Sequence, residues 1–231
     1  MTEDVKSRLL DAALSHVVFD GWSDDAFDAA IRDTGIDATV AKNVFPRRGL
    51  DMAVAFHQRG DATMVARLAE IALDGMRFRD RVAAAVRFRL EAVENDKEAV
   101  RRGSSLFALP QHAALGATLI WGTADAIWSA LGDSSDDVNW YTKRATLSAV
   151  YGSVVLFWLG DTSEDHEATW EFLDRRIENV MQFEKLKAQV NDNPLAQKIL
   201  AGPNWFLSKI RAPSRMPDLD LPGFMSTRHP R

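Results

Sequence analysis

The chain has 231 residues, 46% of them hydrophobic and 26% charged, with a formal net charge of −5 and no cysteine. This length and composition predict a globular protein that can build a substantial hydrophobic core. The absence of cysteine excludes disulfides, thiolate catalysis, iron–sulfur clusters and cysteine-bound zinc, and the acidic balance argues against a general binder of polyanions.

Hydrophobic residues recur at helical spacing along the chain, while the strict alternation typical of strands is absent. The first three predicted helices cover residues 3–18, 23–35 and 37–45. Ser23 and Asp37 are suited to cap the second and third of these, and Gly35 to end the second. Pro46 ends the third, because a residue before proline avoids the α region. The first turn is acidic and no apolar leader segment follows, which favours a cytoplasmic protein.

Six further helices are predicted in the rest of the chain, over residues 49–73, 78–94, 97–109, 112–131, 138–159 and 164–190. Within the fourth and fifth of these, residues 113–131 and 145–159 approach membrane-spanning length. The former stretch contains Asp125, and the latter is shorter than the roughly 20 residues that a span needs. Both are therefore expected to be buried core helices of an all-α protein.

The N-terminal helices resemble the DNA-binding end of TetR-family repressors. The resemblance is carried by residues 29–53, with Gly35 at the turn, Phe45 and Pro46 after the third helix, and a basic residue before Leu50. The remaining helices fit the ligand-binding and dimerising body of that family. The predicted organisation is a helix-turn-helix-like unit, a lipid-binding and dimerisation body, and a basic amphipathic segment with an extended tail, over residues 1–48, 49–190 and 191–231.

The charge of the N-terminal unit argues against DNA binding. Residues 1–50 contain nine acids and six bases, whereas affinity for DNA comes largely from cationic groups that neutralise phosphates. Only Lys42 lies within the would-be recognition helix, and Asp37 begins that helix. We therefore expect no nucleic-acid partner and interpret the three helices as structural.

No residue pattern in the sequence indicates catalysis. The five histidines form no Glu-x-x-His pair, no His-Glu-x-x-His motif and no pair at metal-ligand spacing. A nucleophile elbow, a phosphate-binding loop and a dinucleotide fingerprint are also absent from the sequence. His57 and Asp61, four residues apart on one helix, are expected to form a solvated surface contact. The sequence therefore predicts no catalytic residue, no metal and no cofactor.

The most informative segment is the run Asn-Trp-Tyr-Thr-Lys-Arg at residues 139–144. Trp140, Arg144, Leu147 and Tyr151 share one helical face by their three- and four-residue spacing. Spacing alone favours a core helix whose aromatic side chains pack inward.

This run closely resembles the signature of the ubiquinone biosynthesis accessory protein family, the Coq-nine family. Further positions that resemble the family are residues 21–22, 125–128, 132–133, 161 and 167–176. Lys143, just before the arginine of the signature, is a mild departure from the family pattern. The resemblance covers the chain from about residue 5 to 190.

The resemblance implies a non-catalytic, TetR-like protein that has given up DNA binding, forms a homodimer and binds lipids. The lipid would be a prenylated quinone precursor or another isoprenoid, and the protein partner would be demethoxyubiquinone hydroxylase. The family's surface patch for that partner carries over to Trp140, Tyr141, Arg144, Asp125 and Ile127. Exposed Trp, Tyr and Arg are also the residues typical of an interface hot spot.

The lipid pocket is harder to locate from the sequence. The candidate wall residues are apolar side chains from the middle of the chain, namely Leu106, Leu109, Leu119, Trp121, Val154, Leu156 and Phe157. Taken singly, each of them is more often ordinary core than pocket wall. An isoprenoid tail offers almost nothing to hydrogen-bond, so it needs a long, dry channel.

The C-terminal part is basic and amphipathic. Residues 194–215 contain four basic residues and no acid. The candidate membrane-binding residues are Leu195, Ile199, Trp205, Phe206, Lys209, Ile210 and Arg211. A basic segment with Trp and Phe suits an anionic membrane surface, which predicts a peripheral protein on the inner membrane. The alternative is a helix docked on its own dimer.

Two other functions remain open from the sequence. One is a TetR-type transcriptional regulator that responds to an apolar effector. The other is a plain lipid carrier that has no enzyme partner.

Overall fold

The computed structural model describes residues 2–73, 75–191 and 211–212. Within these residues the chain forms nine α-helices and no strand, which confirms the all-α prediction. The helices are α1 (Thr2–Asp20), α2 (Asp24–Thr34), α3 (Ala38–Val44), α4 (Gly49–Glu70), α5 (Phe78–Glu91), α6 (Lys97–Ala108), α7 (Ala113–Ala130), α8 (Val138–Gly160) and α9 (Glu167–Asn191). Two 3₁₀ turns, Glu94–Asp96 and Glu164–His166, precede α6 and α9.

The caps predicted for α2 and α3 are present. Ser23 Oγ accepts a hydrogen bond from the Ala26 amide at 3.1 Å, and Asp37 Oδ1 accepts one from the Thr39 amide at 2.8 Å. Gly35 ends α2 in the left-handed region, at a φ of 64°. The two capping side chains accept hydrogen bonds from backbone amides that a helix start leaves unpaired, and the glycine lets the chain turn away at the helix end. The local sequence therefore determines where the turn between α2 and α3 lies.

Trp22 joins the three N-terminal helices to the rest of the protein. Its indole Nε1 donates a hydrogen bond to the Ala99 carbonyl of α6 at 3.0 Å, and its ring centroid lies 5.3 Å from that of Phe56 in α4. Gly49 begins α4 directly against this corner, since a Cβ there would lie 2.5 Å from the Ser23 carbonyl oxygen. The N-terminal helices and the body share one hydrophobic core.

The helical body is formed by α4, α5, α7, α8 and α9. α7 packs along α8 and α4, while α9 packs on α5 and α8. Large side chains that are almost completely buried fill the space between them, including Met64, Leu90, Ile127, Val154 and Trp158. Both apolar helices, α7 and α8, thus contribute to the core as predicted. The described part of the chain contains no helix with the length and hydropathy of a membrane span.

Candidate functional site

An apolar cavity of about 400 Å³ lies between α6 and four helices of the body, α4, α5, α7 and α8. Its walls are mostly hydrophobic and include Trp22, Phe56, Leu90, Phe107, Ile120 and Val155. Small-molecule sites typically have volumes of about 300–1,000 Å³. Leu156 lines the cavity although it is 68% exposed, so the cavity opens to the surface along α8.

One part of the cavity wall is polar and is formed by His57, Arg89 and Tyr151. His57 Nε2 lies 2.8 Å from the Thr123 hydroxyl, which donates a hydrogen bond to Asp61 Oδ1 at 2.9 Å. Arg89 Nε donates to the same carboxylate oxygen at 2.6 Å. The Arg89 guanidinium carbon lies 5.9 Å from the centroid of the Tyr151 ring. Four helices, α4, α5, α7 and α8, therefore meet in one buried polar cluster.

Burial controls the protonation of this cluster. Burial is the main cause that lowers the pKa of His57 to about 4, and the positive charge of Arg89 lowers it further. Burial also raises the pKa of the Tyr151 phenol. At neutral pH the imidazole and the phenol are therefore uncharged, and Arg89 and Asp61 form an ion pair. Among the described residues, no group of three or more histidine or acidic side chains could hold a metal ion.

The Asn-Trp-Tyr-Thr run lies at the start of α8. Asp137 caps the helix, because its Oδ1 accepts a hydrogen bond from the Asn139 amide at 2.9 Å. Trp140 and Tyr141 are half-buried, and their rings meet edge to face with centroids 4.8 Å apart. Trp121 of α7 lies 6.0 Å from Trp140 between centroids. These three rings form a partly exposed aromatic cluster on α7 and α8.

An ion-pair cluster lies beneath the aromatic cluster. Arg144 is only 2% exposed, and it donates from Nε to Asp125 Oδ1 at 2.5 Å and from Nη1 to Asp133 Oδ2 at 3.0 Å. Its guanidinium carbon lies 3.9 Å from the centroid of the Trp140 ring. Burial alone would raise the pKa of Asp133, but hydrogen bonds, led by the one from Lys143, lower the pKa to about 2. The Trp140 ring thus rests on a partly buried network of ion pairs.

Residues 113–184, which contain the aromatic cluster, match the family model COQ9. The chain is similar in sequence to the COQ9 proteins. It is 32% identical over 190 residues to the ubiquinone biosynthesis protein COQ9, mitochondrial, of Drosophila melanogaster, over 80% of this chain and 58% of that protein. It is 30% identical to the protein of the same name from Rattus norvegicus, over 81% of this chain and 62% of that protein. The chain therefore spans less than two thirds of these COQ9 relatives.

A more distant COQ9 relative aligns over more of the chain. The probable ubiquinone biosynthesis protein coq9, mitochondrial, of Dictyostelium discoideum is 27% identical over 214 residues, which are 90% of this chain and 68% of that protein. Among solved structures, the TetR transcriptional regulator from Nitrosomonas europaea ATCC 19718 matches with a TM-score of 0.61 and 18% identity, over 76% of this chain and 97% of that chain. At this identity the likeness concerns the fold alone, and it confirms the predicted TetR-like architecture.

The structure places the predicted lipid-binding residues at different depths. Leu119 and Leu156 line the cavity. Leu106 is half-buried against the core, and Leu109, which follows the last residue of α6, is 43% exposed. Neither of these two leucines lines the cavity.

Three of the predicted lipid-binding residues require a correction, because they face other parts of the protein. Val154 is fully buried in the core, and Phe157 stacks on Phe172 of α9 with ring centroids 4.4 Å apart. Trp121 belongs to the aromatic cluster. Helical geometry explains the error, since successive residues of α8 turn to different sides and only some of them face the cavity.

The polar part of the cavity wall was not predicted from the sequence. The side chains of His57 and Asp61 are only 17% and 16% exposed, so the expected solvated surface contact is wrong. A four-residue spacing places two side chains on one helix face but does not say what that face packs against. Arg89 and Tyr151 lie on other helices, and no local pattern links them to His57.

Two of the five predicted partner-binding residues also require a correction. Ile127 is 0% exposed and Arg144 is 2% exposed, so neither can touch a partner directly. Arg144 lies beneath the Trp140 ring, and Ile127 belongs to the hydrophobic core. Asp125, whose side chain is 45% exposed, reaches that surface.

Part of the C-terminal segment contacts the start of α8. The Ala212 amide donates a hydrogen bond to the Asp136 carbonyl at 2.9 Å, and the Tyr141 hydroxyl donates one to the Arg211 carbonyl at 3.3 Å. Arg211 itself is exposed. The other predicted membrane-binding residues lie outside the described part of the chain, namely Leu195, Ile199, Trp205, Phe206, Lys209 and Ile210.

Basic residues near the helix-turn-helix-like unit form ion pairs within the protein. Arg48 lies 3.0 Å from Asp24 and 3.7 Å from Asp28, measured from Nη1 to the carboxylate oxygens. Arg47 Nη2 lies 2.7 Å from Asp51 Oδ1. These carboxylates reduce the positive charge that the two arginines could offer to phosphates.

Proposed function

We propose that this chain is a non-catalytic, lipid-binding accessory protein of ubiquinone biosynthesis, which holds a prenylated quinone precursor and presents it to demethoxyubiquinone hydroxylase. The observation that carries the proposal is the open apolar cavity in the body of a chain that is similar to the COQ9 proteins. The relatives named as ubiquinone biosynthesis proteins indicate the pathway.

The cavity suits an isoprenoid tail. A tail of this kind makes no hydrogen bonds, so transfer from water into an apolar cavity is favourable by roughly 25 cal/mol per Å² of buried surface. Because the cavity opens beside Leu156, a tail longer than the cavity can continue along the outside of α8.

The aromatic cluster suits a protein partner. Trp and Tyr are the residues that most often dominate binding energy at interfaces, and here Trp140 and Tyr141 lie side by side with the exposed carboxylate of Asp125 close by. The cation–π contact from Arg144 holds the Trp140 ring in place from below. A pre-positioned ring loses little conformational entropy on binding, which favours affinity.

The partner proposal is tested with Trp140→Ala and Tyr141→Ala in a binding assay with purified demethoxyubiquinone hydroxylase. We expect each variant to bind at least about fivefold more weakly, as is typical of hot-spot truncations, with unchanged lipid content by mass spectrometry. Trp170→Ala is the matched control, because Trp170 is a half-buried tryptophan on α9. Unchanged hydroxylase binding by Trp140→Ala and Tyr141→Ala would contradict the proposal.

The lipid proposal is tested at the cavity mouth. Leu156→Trp adds bulk where the cavity opens, and we expect it to reduce the amount of co-purifying isoprenoid measured by mass spectrometry. Leu109→Trp makes the same change at another exposed leucine that does not line the cavity. Absence of any isoprenoid from the wild-type protein would contradict the proposal.

We also propose that the protein forms a homodimer. The proposal rests on the family resemblance and on exposed apolar side chains of α8 and α9, such as Phe157 at 37% and Met181 at 38% exposure. Light scattering coupled to size-exclusion chromatography should give twice the chain mass for the wild type and a lower mass for Phe157→Glu. A monomeric wild type would refute it.

Peripheral binding to an anionic inner membrane is the last part of the proposal. It rests on the acid-free, basic composition of residues 194–215. Deleting residues 194–231 should abolish co-sedimentation with anionic liposomes. Undiminished co-sedimentation would mean that this segment is not the membrane anchor.

A further inference from the structure

One peptide group of the C-terminal segment is held against the start of α8. The Ala212 amide donates a hydrogen bond to the Asp136 carbonyl at 2.9 Å, and the Arg211 carbonyl accepts one from the Tyr141 hydroxyl at 3.3 Å. This amide and this carbonyl belong to the same peptide bond, so the group is held on both of its polar sides. Ala212 is half-buried, which places the segment against the protein rather than in solvent.

The sequence favours an extended backbone at the same point. Pro213 follows Ala212, and a residue before proline avoids the α region and prefers an extended conformation. Neither residue 211 nor residue 212 belongs to a helix. A segment whose backbone is restricted in this way loses less conformational entropy when it docks. Local sequence and tertiary contact therefore favour the same docked conformation.

The docked segment lies on the proposed partner surface. Tyr141 donates to the segment and meets Trp140 edge to face, with ring centroids 4.8 Å apart. A tyrosine hydroxyl has a single proton to donate, and the Arg211 carbonyl already accepts it. A partner that uses this donor, or that covers the same edge of the Tyr141 ring, has to displace the segment first.

Release of the segment leaves the partner surface intact. Asp137 caps α8 with its own side chain, and the Trp140 ring is held by its contact with the Arg144 guanidinium. Asp136 is exposed and Tyr141 is half-exposed, so water can replace both hydrogen bonds to the segment. The net contribution of such hydrogen bonds is modest. Docking of the segment is therefore reversible.

We infer that residues 211 and 212 form an autoinhibitory strap, which covers part of the partner surface and competes with the protein partner for Tyr141. The inference rests on the proposed partner-binding function and adds its regulation. Only molecules with a released strap offer the complete surface. The apparent dissociation constant for the partner is therefore the intrinsic one divided by the fraction of molecules in which the strap is released.

The test uses the full-length chain and purified demethoxyubiquinone hydroxylase, with affinity measured by isothermal titration calorimetry. Ala212→Pro removes the amide hydrogen that the Asp136 carbonyl accepts, because proline has no backbone N–H. Ala212→Ser is the matched control, since it changes the same side chain and keeps the amide. Residue 212 lies outside the helices, so both variants should unfold at the midpoint temperature of the wild type.

We expect Ala212→Pro to bind the hydroxylase roughly two- to tenfold more tightly than the wild type, as the loss of one hydrogen bond from the competing state predicts. Ala212→Ser should bind like the wild type. Amide hydrogen exchange followed by mass spectrometry gives a second measurement. In the wild type, the peptide that contains Ala212 should exchange faster with the hydroxylase bound than without it, because the partner displaces the strap.

Each other outcome counts against the strap. Equal affinity of the wild type and Ala212→Pro would refute it, and weaker binding by Trp140→Ala would then show that the partner surface still stands. Weaker binding by Ala212→Pro would mean that the segment assists the partner. Equal tightening by Ala212→Ser would exclude the hydrogen bond as the cause. Unchanged exchange in the complex would show that the partner does not displace the segment.

Failure of the proposed function has a different signature. If neither the wild type nor Ala212→Pro binds the hydroxylase, the proposed partner function fails and this inference fails with it. Binding by Ala212→Pro alone would support both.

Discussion

Substitution of Arg144 can distinguish a role in stabilising the fold from a direct role in partner binding. Its guanidinium is 2% exposed and pairs with Asp133, whose side chain is also 2% exposed. Arg144→Met fills similar space without the charge. Breaking a buried ion pair costs about 3–5 kcal/mol, and we expect the lower end, about 3 kcal/mol, because Lys143 Nζ still donates to Asp133 at 2.7 Å.

The free energy of unfolding is measured by urea denaturation and the midpoint temperature by circular dichroism. For a chain of this size, about 3 kcal/mol corresponds to a fall in midpoint temperature of roughly 10 °C. Adding Asp133→Asn to Arg144→Met should recover at least about 1 kcal/mol, since the buried carboxylate, which Lys143 compensates only in part, is then removed. Arg175→Met is the control, because its pair with Glu171 is largely exposed and contributes little.

The reasoning is refuted if Arg144→Met unfolds within about 0.5 kcal/mol of the wild type, which is the range of an ordinary surface substitution. It is also refuted if Arg144→Met retains full stability and loses only hydroxylase binding. In that case Arg144 would act at the interface directly, and its burial would not hold in solution.

Gly60→Ala should lower the free energy of unfolding by roughly 1–3 kcal/mol in urea denaturation, because the added Cβ would meet the Arg89 guanidinium. Gly122→Ala is the control and should give no loss, because a Cβ at Gly122 of α7 would meet open space. The folded pKa of His57 is about 4, below its ordinary value of 6.5, so the unfolded state binds more protons between these values. Its contribution, on the order of 3 kcal/mol, is present above pH 6.5 and lost as the pH falls towards 4. His57→Gln should therefore show a shallower loss of stability over that pH range, and an identical slope would contradict the burial of His57 beside Asp61 and Arg89.

The helices and their caps could be predicted because they depend on local sequence. Ser23, Gly35 and Asp37 act on backbone groups within a few residues of themselves, so the order of residues is sufficient information. The spacing of Arg144 with Tyr151 also indicated a core face correctly, since both are buried. The family resemblance had placed Arg144 in a surface patch, which the structure corrects.

The polar part of the cavity wall could not be predicted, because it depends on how helices that are distant in sequence pack together. His57 and Asp61 gave a local signal, but Arg89 and Thr123 are 28 and 62 residues away from Asp61 along the chain. A buried arginine and a surface arginine have the same appearance in a sequence. Only the packing of α4 against α5 and α7 distinguishes them.

Trp22 links the cavity in the helical body to the N-terminal helices. The same indole that anchors α1–α3 to the carbonyl of Ala99 also forms part of the cavity wall. A guest in this cavity would therefore contact the same side chain that ties the N-terminal helices to the body, and any coupling between the two would be reciprocal, because linkage changes both affinities by the same factor.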